Sequence, residues 1–161
     1  MNKAVFLDRD KTIIEDKEGY INDPTKVKLL PGAAEAIKKL NKNSFKVIIT
    51  TNQSGVGRNY FTEKDLTLIH QKMIELLQKE GAHLDDIYYC PHHPEEACSC
   101  RKPLPGMIVE AAIEHDIDIK ESYCIGDSER DIEAGKTAGC KTILIKEGRL
   151  EEAVNYILSS R

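Results

Sequence analysis

The sequence predicts an α/β fold, a mostly parallel five-stranded sheet with helices on both faces. Short β-branched apolar runs alternate with longer amphipathic segments, the pattern that βαβ crossovers leave in a chain. The first run, Ala4-Val5-Phe6-Leu7, is unbroken by polar residues and reads as a buried strand. The 161 residues, 40% apolar and 31% charged, suffice for one core without staples.

Strands are expected at 4–7, 46–50, 87–89, 123–125 and 142–145. The helix at 33–40 follows Pro31-Gly32 and carries Ala34, Ile37 and Leu40 at helical spacing. Thr62 with Lys64-Asp65 opens the next, whose buried stripe is Leu66, Ile69, Met73, Leu76 and Leu77. A helix at 105–115 would bury Ile108, Ala112 and Ile113. Another at 128–138 ends at Gly139, and a last amphipathic helix covers 151–159. With no repeat, low-complexity tract or linker, residues 1–161 are expected to form a single domain.

Bulk properties exclude several classes. Net charge of −4 and a pI near 5.8 give no electrostatic footprint for nucleic acid. No apolar stretch approaches the ~20 residues that span a bilayer, and the chain opens directly into a strand. A cytoplasmic monomer with a small-molecule substrate is expected. Five cysteines, an odd number, argue against a disulfide framework. Cys124 and Cys140 lie in apolar surroundings and read as core.

In such a sheet, ligands bind outside the carboxyl ends of the strands, where the chemistry-bearing residues gather. Asp8 and Asp10 follow the first strand on one side of it, and adjacent carboxylates call for a cation, a shared proton or strong donors. Asp8 suits a nucleophile and Asp10 a general acid and base. Asp127 ends the fourth strand beside Gly126, with Asp131 close behind, and adds hard oxygen ligands suited to Mg2+. The run Thr51-Asn52-Gln53-Ser54-Gly55-Val56-Gly57 suits an anion cradle, with Arg58 in reach of a second anionic group. Together these residues suggest phosphoryl transfer through an aspartyl-phosphate.

A separate cluster is Cys90, His92, Cys98 and Cys100. Alternation favours His92 over His93, and three thiolates with one imidazole make a closed shell, a structural Zn2+ site. Arg101 and Lys102 come directly after it, an Arg fork for the substrate and a point charge for the aspartyl-phosphate. His70, His83 and His115 read as ordinary residues.

These motifs resemble the haloacid dehalogenase (HAD) superfamily, and within it the histidinol-phosphatase and heptose-bisphosphatase branch. Asp8 and Asp10 match its first motif, Thr51 the second, Lys102 the third, and Asp127 with Asp131 the fourth. The C-x-H…C-x-C loop before Arg-Lys-Pro is specific to the branch. The run from Thr51 to Arg58 is similar to the heptose-bisphosphatases, whereas histidinol-phosphate enzymes typically carry an acid where Ser54 stands. The resemblance implies a capless three-layer Rossmann-like fold and Mg2+ held by Asp8, the Asp10 carbonyl and Asp127. It further implies Zn2+ on Cys90, His92, Cys98 and Cys100, and substrate contacts from Asp16, Lys17, Glu18, Gly19, Thr51, Asn52, Gln53, Ser54, Arg58, Arg101 and Lys102. The reaction implied is hydrolysis of the 7-phosphate of a heptose 1,7-bisphosphate. Competing readings are a histidinol-phosphate phosphatase, a nucleic-acid 3′-phosphatase and a decayed, zinc-stabilised binding module. Two positions depart from the family pattern: Lys11 replaces a glycine, and Ser128 stands where heptose enzymes often have Lys.

Overall fold

The computed structural model describes residues 1–160. Its strands are β1 (Lys3–Leu7), β2 (Phe45–Asn52), β3 (Asp86–Cys90), β4 (Tyr123–Gly126) and β5 (Lys141–Leu144). They form one sheet in the order β3-β2-β1-β4-β5, and every pairing is parallel. The helices are α1 (Ala33–Lys42), α2 (Ser54–Gly57), α3 (Glu63–Lys79), α4 (Gly106–Glu114), α5 (Glu129–Ala138) and α6 (Leu150–Ser159). Each expected strand and long helix is present, with ends shifted by a residue or two.

The pleat of β1 sorts its side chains into two cores. Val5 and Leu7 meet α1, α3 and α6 on one face; Ala4 and Phe6 meet α4 and α5 on the other. All four are fully buried, as expected for a central strand covered on both sides. Along α4 the inward side is Met107, Ile108, Ala111 and Ala112. Ile113, expected to be buried, is 78% exposed, because the true contact stripe runs one position earlier.

Local chemistry sets the helix ends. Thr62 and Asp65 form a reciprocal capping box at the start of α3, as Ser128 and Asp131 do at α5. Gly139 closes α5 at φ 106°, a conformation that spares glycine a Cβ clash. The single turn α2 was not expected, since Ser-Gly-Val-Gly has poor helix propensity. Tertiary contact holds it: Gly57 N–H donates to the Pro91 carbonyl at 2.8 Å. A Cβ on Gly57 would strike the backbone of residues 91–93, so only glycine permits that approach.

Strand order reverses around β1, which has β2 on one side and β4 on the other. A crevice opens at the carboxyl ends of these strands, the usual ligand position in open α/β sheets.

Candidate active site

Asp8 leaves β1 with its N–H bonded to the Ile125 carbonyl of β4 at 3.2 Å, so the two strand ends are locked side by side. Carboxylate oxygens of Asp8, Asp127 and Asp131 then lie within 4.8 Å of one another. Between them sits the Lys102 ammonium, 2.6 Å from Asp131 Oδ1 and 3.2 Å from Asp8 Oδ1. Lys102 is buried; the two carboxylates outweigh its desolvation and raise its pKa, which keeps it charged. Burial lifts Asp8 to about 7, with Lys102 opposing and Asp131 and Asp10 adding to the rise. Burial also raises Asp127, again aided by Asp131.

The two oxygens of Asp131 are spoken for. Oδ1 takes Lys102, and Oδ2 accepts from the Ser128 N–H and hydroxyl. Asp8 and Asp127 therefore remain as the hard donors for a divalent ion, which would relieve their mutual repulsion. A cleft of about 490 Å³ surrounds them, lined also by Asp10, Asp16, Gly19, Ser54, Arg58 and Arg101. Nη1 of Arg101 is buried there without a partner among the described residues, an unmatched donor suited to an anion. At the rim, Tyr20 and Tyr60 meet edge to face at 5.0 Å.

Other expected contacts lie elsewhere. Lys17 and Glu18 point out of the cleft: Lys17 is exposed near Glu15, and Glu18 pairs with Lys26 at 3.2 Å. Each finds its own opposite charge in a solvated loop. Gln53 and Thr51 are buried and turned inward, with Gln53 Nε2 donating to Thr51 Oγ1 at 2.9 Å and to Asp10 Oδ2 at 3.2 Å. Neither lines the cleft. Asn52 does line it, but its amide brackets the Lys102 backbone, donating to the carbonyl at 3.3 Å and accepting from the N–H at 2.9 Å. It aims the lysine.

The residue that sequence reading missed is Arg9. It is fully buried, and its Nε and Nη2 both reach Asp10 Oδ1 at 2.9 Å. The available signal was a cation between two aspartates directly after a buried strand. His70, read as ordinary, is also buried and touches this Arg9 at 3.0 Å.

Cys90, His92, Cys98 and Cys100 converge beyond β3. The Sγ atoms of Cys98 and Cys100 lie 3.8 and 2.7 Å from that of Cys90; the first equals the roughly 3.8 Å edge of a tetrahedron with Zn–S bonds of about 2.3 Å, and the second would have to open to admit the ion. His92 presents Nδ1, 3.4 Å from Cys90 Sγ and 3.2 Å from Cys100 Sγ. Burial disfavours the Cys98 thiolate, but backbone groups of Arg101 and Cys100 bring its thiol down to about 7. Cys90 and Cys100 are raised, by burial first. Such a set is uneasy with itself alone and fits a soft divalent cation. As expected, Cys124 and Cys140 are buried.

A HAD-hydrolase-like family model matches residues 99–156. The D-glycero-β-D-manno-heptose-1,7-bisphosphate 7-phosphatase of Helicobacter pylori is 45% identical over 89% of this chain and 83% of its own length. That of Bordetella bronchiseptica is 39% identical over 91% of this chain and 82% of its own. The crystal structure of the Bordetella enzyme, complexed with magnesium and phosphate, superposes with a TM-score of 0.92 at 34% identity, covering 99% of both chains. The carboxylates around Lys102, the thiol cluster beside them and these likenesses lead to one assignment: the chain belongs to the HAD-like hydrolases, in the family of the D-glycero-β-D-manno-heptose-1,7-bisphosphate 7-phosphatases.

Proposed function

We propose that the protein is a phosphatase that hydrolyses the 7-phosphate of D-glycero-β-D-manno-heptose 1,7-bisphosphate. The carrying observation is the convergence of Asp8 and Asp127, from two different strand ends, beside the buried Lys102. Asp8 attacks phosphorus in line, and the bond from phosphorus to the sugar oxygen breaks as Asp10 gives that oxygen a proton. Asp10 then takes a proton from water as the water attacks the aspartyl-phosphate, which frees Asp8 and inorganic phosphate. Lys102 neutralises charge on the equatorial oxygens. Mg2+, held by Asp8, Asp127 and the Asp10 carbonyl, would supply further charge neutralisation there.

Arg9 reaches Asp10 Oδ1 through two nitrogens, whereas Oδ2 accepts only from Gln53 Nε2 and keeps a lone pair for proton transfer. Arg58, Arg101 and Lys11 also line the cleft and suit the second phosphate of a bisphosphate. Zn2+ on the thiol cluster would set the loop that carries Arg101 and Lys102. One chain lines the whole cleft, which supports action as a monomer. Five free cysteines fit a reducing, cytoplasmic setting. No described helix is long and apolar enough to cross a membrane.

Two measurements test the reading. The heptose bisphosphate should turn over at least tenfold faster than histidinol phosphate; the reverse preference refutes the substrate. Asp8→Asn should reduce turnover by about 10³-fold or more and abolish the phosphoenzyme. Near-normal turnover in that variant refutes the nucleophile.

A further inference from the structure

Arg9 heads the largest fully buried side chains among the described residues, and in sequence it stands between Asp8 and Asp10. A buried guanidinium is tolerated only when its donors are matched. Nε and Nη2 bond Asp10 Oδ1, Nη2 also reaches Gln53 Oε1 at 3.2 Å, and Nη1 lies 3.0 Å from His70 Nε2. Gln53 closes the ring by donating from Nε2 to Asp10 Oδ2. Both oxygens of Asp10 are thus held within one buried network.

We propose that His70 is a positioning residue for Asp10: its imidazole fixes the Arg9 guanidinium, and the guanidinium fixes the carboxylate that moves the proton. The inference rests on the reading of Asp10 as proton-transfer group. A guanidinium has no acceptor, so Nε2 must accept, and the ring must be neutral with its proton on Nδ1. Burial, reinforced by the Arg9 charge, lowers the ring's pKa to about 3, which keeps it in that state. His70 sits on the inner side of α3 among Leu66, Ile69 and Met73, and the Thr62–Asp65 box caps that helix. The helix thereby supplies a rigid anchor to Asp10 through Arg9. Without His70, Nη1 is left buried and unpaired, and the guanidinium must tilt to find water. Because it holds Asp10 through a single oxygen, the tilt moves the carboxylate, and small misplacements of a reacting group have large effects on rate.

The experiment compares His70→Leu with His70→Gln, whose Oε1 can replace the accepting nitrogen, using heptose 1,7-bisphosphate. His70→Leu should lower kcat at least tenfold with KM within twofold, and His70→Gln should recover kcat to within about threefold of the parent. In an Asp10→Asn background, His70→Leu should change the remaining rate less than twofold. Equal losses in Leu and Gln variants, a loss confined to KM, or a loss that persists undiminished without Asp10 overturns the proposal. If Asp10→Asn itself keeps full turnover, the acid–base reading fails and takes the proposal with it. A dead Asp10→Asn beside a fully active His70→Leu refutes the tie alone. Nitrogen-15 NMR of the unmutated protein gives a check independent of refolding: Nε2 should be the bare nitrogen at pH 7, and a proton there overturns the proposal.

Discussion

The cleft and the thiol cluster beside it both gather residues able to hold a divalent ion, but they are built in opposite ways. Asp8 and the neighbouring pair Asp127 and Asp131 come from distant parts of the chain, and the parallel pairing of β1 with β4 brings them together. Lys102 already compensates two of them, so the cleft keeps its shape through an internal ion pair. Cys90 ends β3 and His92, Cys98 and Cys100 follow in one loop with little secondary structure, where the burial-raised thiols of Cys90 and Cys100 have no ammonium between them as the carboxylates do. One site is organised by the fold and would receive its ion; the other is a segment that its ion would organise.

The contrast breaks first at the thiols. Cys100→Ser should lose bound zinc by elemental analysis, lower the melting temperature by roughly 5–10 °C and cut turnover at least about tenfold, since a structural zinc is part of folding. Lys102 stands two residues further on, and its ammonium would lose its aim. Full activity in a zinc-free Cys100→Ser protein would mean that the loop holds its shape without an ion, as the cleft does.

A smaller, reversible effect is expected at the carboxylates. The folded-state pKa of Asp8, about 7, lies above its ordinary 3.8. Its contribution to stability is therefore full below pH 3.8 and lost as pH rises through 7. Mg2+ binds the ionised form and should restore what is lost. Saturating Mg2+ should raise the melting temperature by about 5 °C at pH 8 and by less than half of that at pH 6. Equal rises at the two pH values would contradict the assignment of Asp8 to the ion. Chelation of Mg2+ should abolish turnover and leave far-UV circular dichroism unchanged.

The smallest effect concerns Lys11. It holds φ 65°, a left-handed conformation that costs a non-glycine residue about 1 kcal/mol. Lys11→Gly removes that strain but frees the unfolded chain, so the melting temperature should shift by no more than about 4 °C. The ammonium faces the cleft, and its loss should raise KM severalfold. An unchanged KM would remove Lys11 from substrate binding.

The strands and the two clusters able to hold an ion were legible because each carries a local signal. Runs such as 4–7 and 123–125 are apolar on both pleat faces, and C-x-H…C-x-C places its ligands by spacing alone. Asn52, Gln53 and Thr51 were harder. Their positions behind β2 were legible, but a short polar side chain there can turn to the cleft or to its neighbours. The choice depends on donors brought in from Lys102 and Asp10, which lie far away in sequence. Lys17 and Glu18 show the reverse, a charged loop whose partners are its own members. Arg9 and His70 were opaque for the same reason as the glutamine: nothing in either local stretch announces the other.

The pair of tyrosines at the rim has a kinetic consequence. Edge-to-face geometry adds only roughly 0.5–1.5 kcal/mol to what the rings gain from burial, and Tyr20 and Tyr60 are 37% and 55% exposed, so little holds them together. A contact that weak beside the cleft that Tyr20 lines would give way readily to an entering sugar phosphate.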